Sequence, residues 1–215
     1  MSGAAPALDP GSAVSPSVAA LRSRFPGAIR RHQVSCGDTM VYVAPERAHQ
    51  ILTWLRDDPG QRFDYLTDIT AVEYRDRERA LEVVWQLRSL ARKADLRLKV
   101  ELDRGSRLEV DSVYDLWKGA DWLERETFDM FGIRFRGHPD LRRILMWETY
   151  AEGFPLRKDF PLRGHFSRAE QTRQALAANP EAHYSLEELS IAAAYEELPA
   201  DMKERLARGE RGAVS

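Results

Sequence analysis

The chain has 215 residues, 43% of them apolar, and its 32 basic residues against 34 acidic ones leave a formal charge of −2. That length allows one domain with extensions or two small domains, the apolar share supports a sizeable core, and the balanced charge argues against bulk binding to nucleic acid or anionic lipid. The single cysteine, Cys36, excludes an internal disulfide, a CxxC site and an iron–sulfur cluster held by this chain alone, and it fits a reducing compartment.

In chain order, residues 1–16 are mostly Ala, Gly, Pro and Ser and predict a disordered lead. They lack the basic start and apolar stretch of a secretory signal. Ser17 is placed to cap a short helix through Phe25, ended by Pro26-Gly27. Ala28–Cys36 and Thr39–Val43 read as two strands joined at Gly37-Asp38, and Pro45 opens a helix to about Arg56 with Ile51, Leu52 and Leu55 on its apolar face. Strand-like segments follow at Phe63–Arg75 and Ala80–Leu90, around a charged turn at Asp76–Arg79. Leu96, Leu98, Val100 and Leu102 then alternate strictly with Arg97, Lys99, Glu101 and Asp103, which predicts a half-buried strand with one wet face. After a turn at Gly105-Ser106, Glu109–Ser112 leads into a helical Val113–Lys118. The order predicts an α+β fold: a two-layer domain over residues 17–131 with a mostly antiparallel sheet and flanking helices.

Residues 120–164 are unusual. As a helix, Ala120–Phe131 places Leu123, Thr127, Met130 and Phe131 on one arc, with Glu124 inside it. A carboxylate there is either buried with a partner or at a protein contact, because burying it alone costs several kcal/mol. Asp121, Arg125 and Asp129 fall on the opposite, wet arc at spacings that allow two charge pairs. From Gly132 to Gly164 the prolines Pro139, Pro155 and Pro161 exclude a long helix or a central strand. The same segment holds Ile144, Leu145, Trp147, Phe154, Leu156 and Phe160, too much apolar surface for a solvated loop. It reads as an extended partner-binding arm, with Asp121–Phe131 as the hinge. Residues 165–215 read as a helical extension, with helices from Ser167 to Ala178, from Ser185 to about Glu197, and after Pro199. It is either a docking arm or a surface addition.

Chemical motifs are sparse. No GxGxxG, P-loop, HExxH or GxSxG occurs, and the five histidines show no ligand spacing. No stretch approaches the about 18 apolar residues of a membrane span, so any membrane association is expected through a partner. Glu124, Glu126 and Asp129 are either an acid/base group or a helix whose acids pair with Arg125 and the downstream arginines. Arg142, Arg143, Arg157 and Lys158 could meet phosphate, but acids such as Asp159 are interleaved with them, which favours salt bridges over nucleic acid. Trp117 and Trp122 read as core or domain-edge residues, and His138, beside Pro139, as a hydrogen-bonded turn residue.

The run Ala120-Asp-Trp-Leu-Glu-Arg-Glu-Thr-Phe-Asp-Met-Phe-Gly-Ile133 resembles the signature of the C subunit of NADH-quinone oxidoreductase, the 30-kilodalton subunit of respiratory complex I. Gly137-His138-Pro139, Arg142-Arg143-Ile144-Leu145 and Pro155–Leu162 continue the resemblance in order, while the stretch between Leu145 and Pro155 is longer than in many members. The resemblance implies a chain without catalytic, cofactor or metal sites of its own. FMN, iron–sulfur clusters and quinone would be bound by partner subunits of a translocase that moves electrons from NADH. The chain would sit peripherally on the cytoplasmic face of the inner membrane, packed on the D subunit and near the B subunit. Glu124, Arg125, Glu126, Asp129, Gly132, His138, Pro139, Arg142, Arg143, Pro155, Arg157, Lys158, Asp159 and Pro161 would be its signature or interface residues. Within such a complex, Glu124→Ala is expected to weaken assembly or quinone reductase activity more than Asp121→Ala on the wet arc. The equivalent subunit of a membrane-bound nickel–iron hydrogenase-type complex is the alternative.

Overall fold

Five strands form one mixed sheet in the order β1-β2-β5-β4-β3. They are β1 (Ile29–Ser35), β2 (Asp38–Val43), β3 (Tyr65–Glu73), β4 (Leu81–Ser89) and β5 (Ala94–Leu102). The computed structural model describes residues 15–75, 80–103, 105, 107–178, 200 and 203. The lead, apart from its last two residues, the charged turn at 76–79 and the helix expected over 185–197 lie outside them. The chain divides into two units, Met1–His165 and Phe166–Ser215.

In the first unit the register follows from the alternation of apolar side chains. Leu81, Val83, Trp85 and Leu87 of β4 stand opposite Leu102, Val100, Leu98 and Leu96 of β5, and all eight are buried. A one-residue slip would turn every one of them to the other face, so burial locks the pairing. β2 joins β5 in parallel, while the other three pairings are antiparallel. The β1–β2 hairpin turns on Cys36 and Gly37, both at positive φ (51° and 85°), as a two-residue loop matched to strand twist requires. Helices α1 (Pro16–Arg24) and α2 (Ala48–Asp57, after a 3-10 turn at Pro45–Arg47) add Val18, Leu21, Ile51, Leu52 and Leu55 to the same core. α1 starts one residue before Ser17, whose hydroxyl accepts from Arg92 (3.2 Å) instead of capping the helix.

The other face of β5 is drier than its alternation predicts. Lys99 is buried and donates to Glu82 (2.9 Å), which is wholly buried, while Arg31 reaches Glu101 (2.7 Å) and lies 3.3 Å above the Tyr42 ring. The charges on this face are complementary across strands, so their long side chains cover one another instead of standing in water.

A small parallel pair, β6 (Glu109–Asp111) with β7 (Arg134–Arg136), flanks helix α3 (Ala120–Phe131). The helix expected at Val113–Lys118 does not form. Leu116 and Trp117 both donate to the Val113 carbonyl in tight turns, and the Trp117 indole N–H donates to Asp64 O (3.1 Å). In the second unit, α4 (Arg168–Ala178) starts where predicted, with the Ser167 hydroxyl oxygen accepting the Glu170 N–H (3.2 Å). None of its residues is buried.

Candidate protein-contact site

α3 packs on the edge strand β3, where the Thr127 hydroxyl lies within hydrogen-bonding distance of the Ile69 carbonyl (3.3 Å) and the Leu123 carbonyl (2.9 Å). It ends at Gly132, whose φ of 73° is left-handed and whose N–H caps Phe128 O. A β-carbon at this glycine would overlap the Phe154 ring, so the residue is fixed by both backbone and packing.

The arc of α3 that the helical period assigns to water is in fact covered. Arg125 and Asp129 are buried, and they do not pair along the helix as their spacing suggests. Arg125 donates to the carbonyls of Arg142 (3.2 Å) and Arg143 (3.0 Å). One Asp129 oxygen accepts the N–H groups of Ile144, Leu145 and Met146 (3.1, 2.8 and 2.8 Å), and the other accepts Arg143 (2.6 Å). Burial alone would raise the Asp129 pKa, but the three amides and the guanidinium together hold it below the ordinary carboxylate value. Arg143 continues to Gly153 O (3.1 Å). Arg157 donates to Phe131 O (2.7 Å), Leu156 N–H to Met130 O (3.1 Å), and Lys158 N–H to Glu73. The irregular segment from Gly132 to Lys158 is thus fastened along α3 and the end of β3 by groups that an isolated loop would leave to water.

Glu124 faces the other way. It is fully buried and accepts the Ser112 hydroxyl (2.6 Å) and the Val113 N–H (2.7 Å). Burial pushes its pKa up to about 7, against the lowering effect of those two bonds. Glu126 is exposed, so the three carboxylates of the signature point in three directions and cannot work as an acid/base pair. His138 is a turn residue: its Nδ1 accepts the Asp140 N–H (3.1 Å), and its Nε2 donates toward Asp121 O (3.2 Å). Pro139, Arg142, Lys158, Asp159 and Pro161 are exposed, and Pro155 is half-buried. Glu73 and Ser112 belong to the same arrangement but lie outside the signature. Glu73 is detectable in the sequence because it stands in phase with Ile69 and Ala71 on β3. Beyond the braced backbone, Leu145, Leu156 and Leu162 are exposed, as is Trp122 on α3.

The family described as respiratory-chain NADH dehydrogenase, 30 Kd subunit, matches residues 41–166, a span that contains most of the sheet, α3 and the braced segment. The chain belongs to this family. Similar relatives include the C subunit of the NADH-quinone oxidoreductase of Caulobacter sp. (strain K31), 45% identical over 161 residues, covering 75% of this chain and 72% of the relative. The corresponding protein of Roseiflexus sp. (strain RS-1) is 49% identical over 142 residues, 66% of this chain and 80% of the relative. Among solved structures, the trypsin-resistant fragment (1–134) of Nqo5 superposes with a TM-score of 0.50 at 27% identity, covering 58% of this chain and 96% of that one. A chain of an archaeal respiratory membrane complex, the membrane-bound sulfane sulfur reductase, shares the fold at 20% identity, with a TM-score of 0.56 over 73% of this chain and 88% of that one. The family the motifs resemble is therefore the family of the chain.

Proposed function

We propose that the chain is a non-catalytic structural subunit of the hydrophilic arm of a proton-translocating NADH-quinone oxidoreductase, lying peripherally on the cytoplasmic face of the membrane. It packs on the D subunit, close to the B subunit, and so supports electron transfer from NADH through FMN and iron–sulfur centres, all bound by partners, to quinone. The observation that carries this reading is the braced segment: the amides of Ile144, Leu145, Met146, Leu156 and Lys158 are bonded to α3 and β3, while the side chains of Leu145 and Leu156, and of Leu162 just beyond, are left outside. Apolar side chains held outward by a polar scaffold fit a protein contact better than a solvent face. The exposed Arg142, Lys158 and Asp159 supply both charge signs at the rim, which sets register more than affinity. Among the described residues no group of three metal-ligating side chains converges, and no helix is long and apolar enough to cross a membrane. Affinity purification of the tagged chain from its own cells should recover the D and B subunits with NADH-oxidising flavin subunits. Recovery as a free monomer would overturn the proposal.

A further inference from the structure

Glu124 combines three features that the contact role does not use. It is 0% exposed, among the described residues it forms no ion pair, and both of its oxygens are aimed at donors on one short turn. The charged and titratable groups of the surrounding elements are committed elsewhere. Asp115, on the same turn, meets His49 of α2 (3.0 Å), and Asp121 of α3 meets His138 (3.2 Å). Arg125, next to it on α3, donates to the carbonyls of Arg142 and Arg143. Asp111 of β6 meets Arg136 of β7 (2.7 Å), and the Lys118 ammonium lies 3.9 Å from the Tyr114 ring centre. Among the described residues no cation is left to neutralise the carboxylate, and Asp115 and Asp121 oppose its ionisation.

The turn offers two hydrogen-bonding solutions. With Glu124 ionised, Ser112 O–H and Val113 N–H both donate to it, and Ser112 Oγ accepts the Tyr114 N–H (3.1 Å). Both Glu124 oxygens, the Ser112 hydroxyl and the Val113 and Tyr114 amides are then paired, but a charge is buried. With Glu124 protonated, the charge is gone, but its new O–H needs an acceptor and the nearest is Ser112 Oγ. That oxygen has a second lone pair to give, and its own hydrogen then loses its partner. Each state carries one cost, a buried charge or a lost hydroxyl bond, and because only the second state takes up a proton, pH decides which cost is met.

We propose that Glu124 is a proton-operated latch between α3 and the turn after β6, in which taking up one proton reverses the donor of the 2.6 Å Glu124–Ser112 hydrogen bond. The latch goes beyond the structural role proposed above and does not depend on it. The step is balanced: one proton moves from water to the carboxyl, no other covalent bond changes, and the Ser112 O–H donation is exchanged for one from Glu124. The raised pKa places the transition near neutral pH, where a modest change in acidity moves the population. The turn also carries Asp115, bound to His49 of α2, and Trp117, bound to Asp64 O just before β3, so it is tied to both elements.

The test is a carbon-13 NMR titration of the full chain from about pH 4 to about pH 9, with the Glu124 carboxyl assigned through its own side-chain connectivities. The carboxyl and the Val113 amide should titrate together with a midpoint near 7. Ser112→Ala removes a donor to the charged form and should raise that midpoint by about 1 pH unit, whereas Asp115→Asn removes a like charge and should lower it. A wild-type midpoint near the ordinary value of about 4 overturns the latch, as does an amide that ignores the carboxyl. The wild-type titration decides the matter even if neither variant folds.

Discussion

At the scale of single residues, two acids of α3 show how burial is resolved in opposite ways. Asp129 is buried with four donor groups, one of them a guanidinium, and Glu124 is buried with two donors, neither of them charged. Asp129→Asn would place an amide donor among donors and strand Arg143, so it should lower unfolding free energy by about 3 kcal/mol in urea titrations. Asp140→Asn, which breaks only an exposed pair with Arg142, should leave it close to the wild-type value. Their pH effects also differ in sign. Asp129 has a lowered folded pKa, so its contribution is present above the unfolded value and is lost as pH falls through the folded one. Glu124 has a raised folded pKa, so the native state holds an extra proton between 4.5 and about 7, and stability declines as pH rises through that window. The loss is on the order of 3 kcal/mol by linkage. Glu124→Gln should flatten this decline; an unchanged slope in pH-resolved denaturation of the variant would show that another group is responsible.

At the scale of elements, the end of α3 is a point where chain direction and packing are set together. Gly132→Ala must force both a left-handed φ on alanine and an overlap with Phe154. It should destabilise by about 3 kcal/mol. Gly137→Ala has a similar φ of 83° but open space around it, so about 1 kcal/mol is expected. Thermal melts of the two variants separate the steric part from the backbone part. The same element shows what the sequence could reveal. The helical period places Glu124 correctly among apolar neighbours, and alternation gives the matched faces of β4 and β5. The other arc of α3 looks wet because its cover, residues 142–158, has no period that betrays where it lies. Its position depends on hydrogen bonds such as Asp129 to Met146 and Glu73 to Lys158, which join residues far apart in sequence. The burial of Lys99 is hidden for a similar reason: alternation assigns a face but does not say that a carboxylate on the neighbouring strand lies under it.

At the scale of the whole molecule, the proposed function makes the division of labour along residues 132–162 the feature that decides how a partner would be met. The amides of Ile144, Leu145, Met146, Leu156 and Lys158 are already bound within the first unit, so on the proposed function docking would have little of this backbone left to order and would be driven by the exposed apolar side chains. This separates two classes of variant that would look alike in a simple activity assay. Leu145→Glu and Leu156→Glu alter side chains that are 61% and 52% exposed, and should leave the melting temperature of the isolated chain within a few degrees of wild type. In cells they should reduce the yield of assembled complex by about tenfold or more, because each buries an unpaired carboxylate at the contact. Asp129→Asn should instead lower the stability of the isolated chain first and assembly as a consequence. The decisive measurement pairs native-gel quantification of the complex with melting of the purified chain for all three variants. Full assembly with both glutamates in place would move the contact away from this surface, whereas equal losses of stability in all three would mean that the leucines hold the fold rather than the partner.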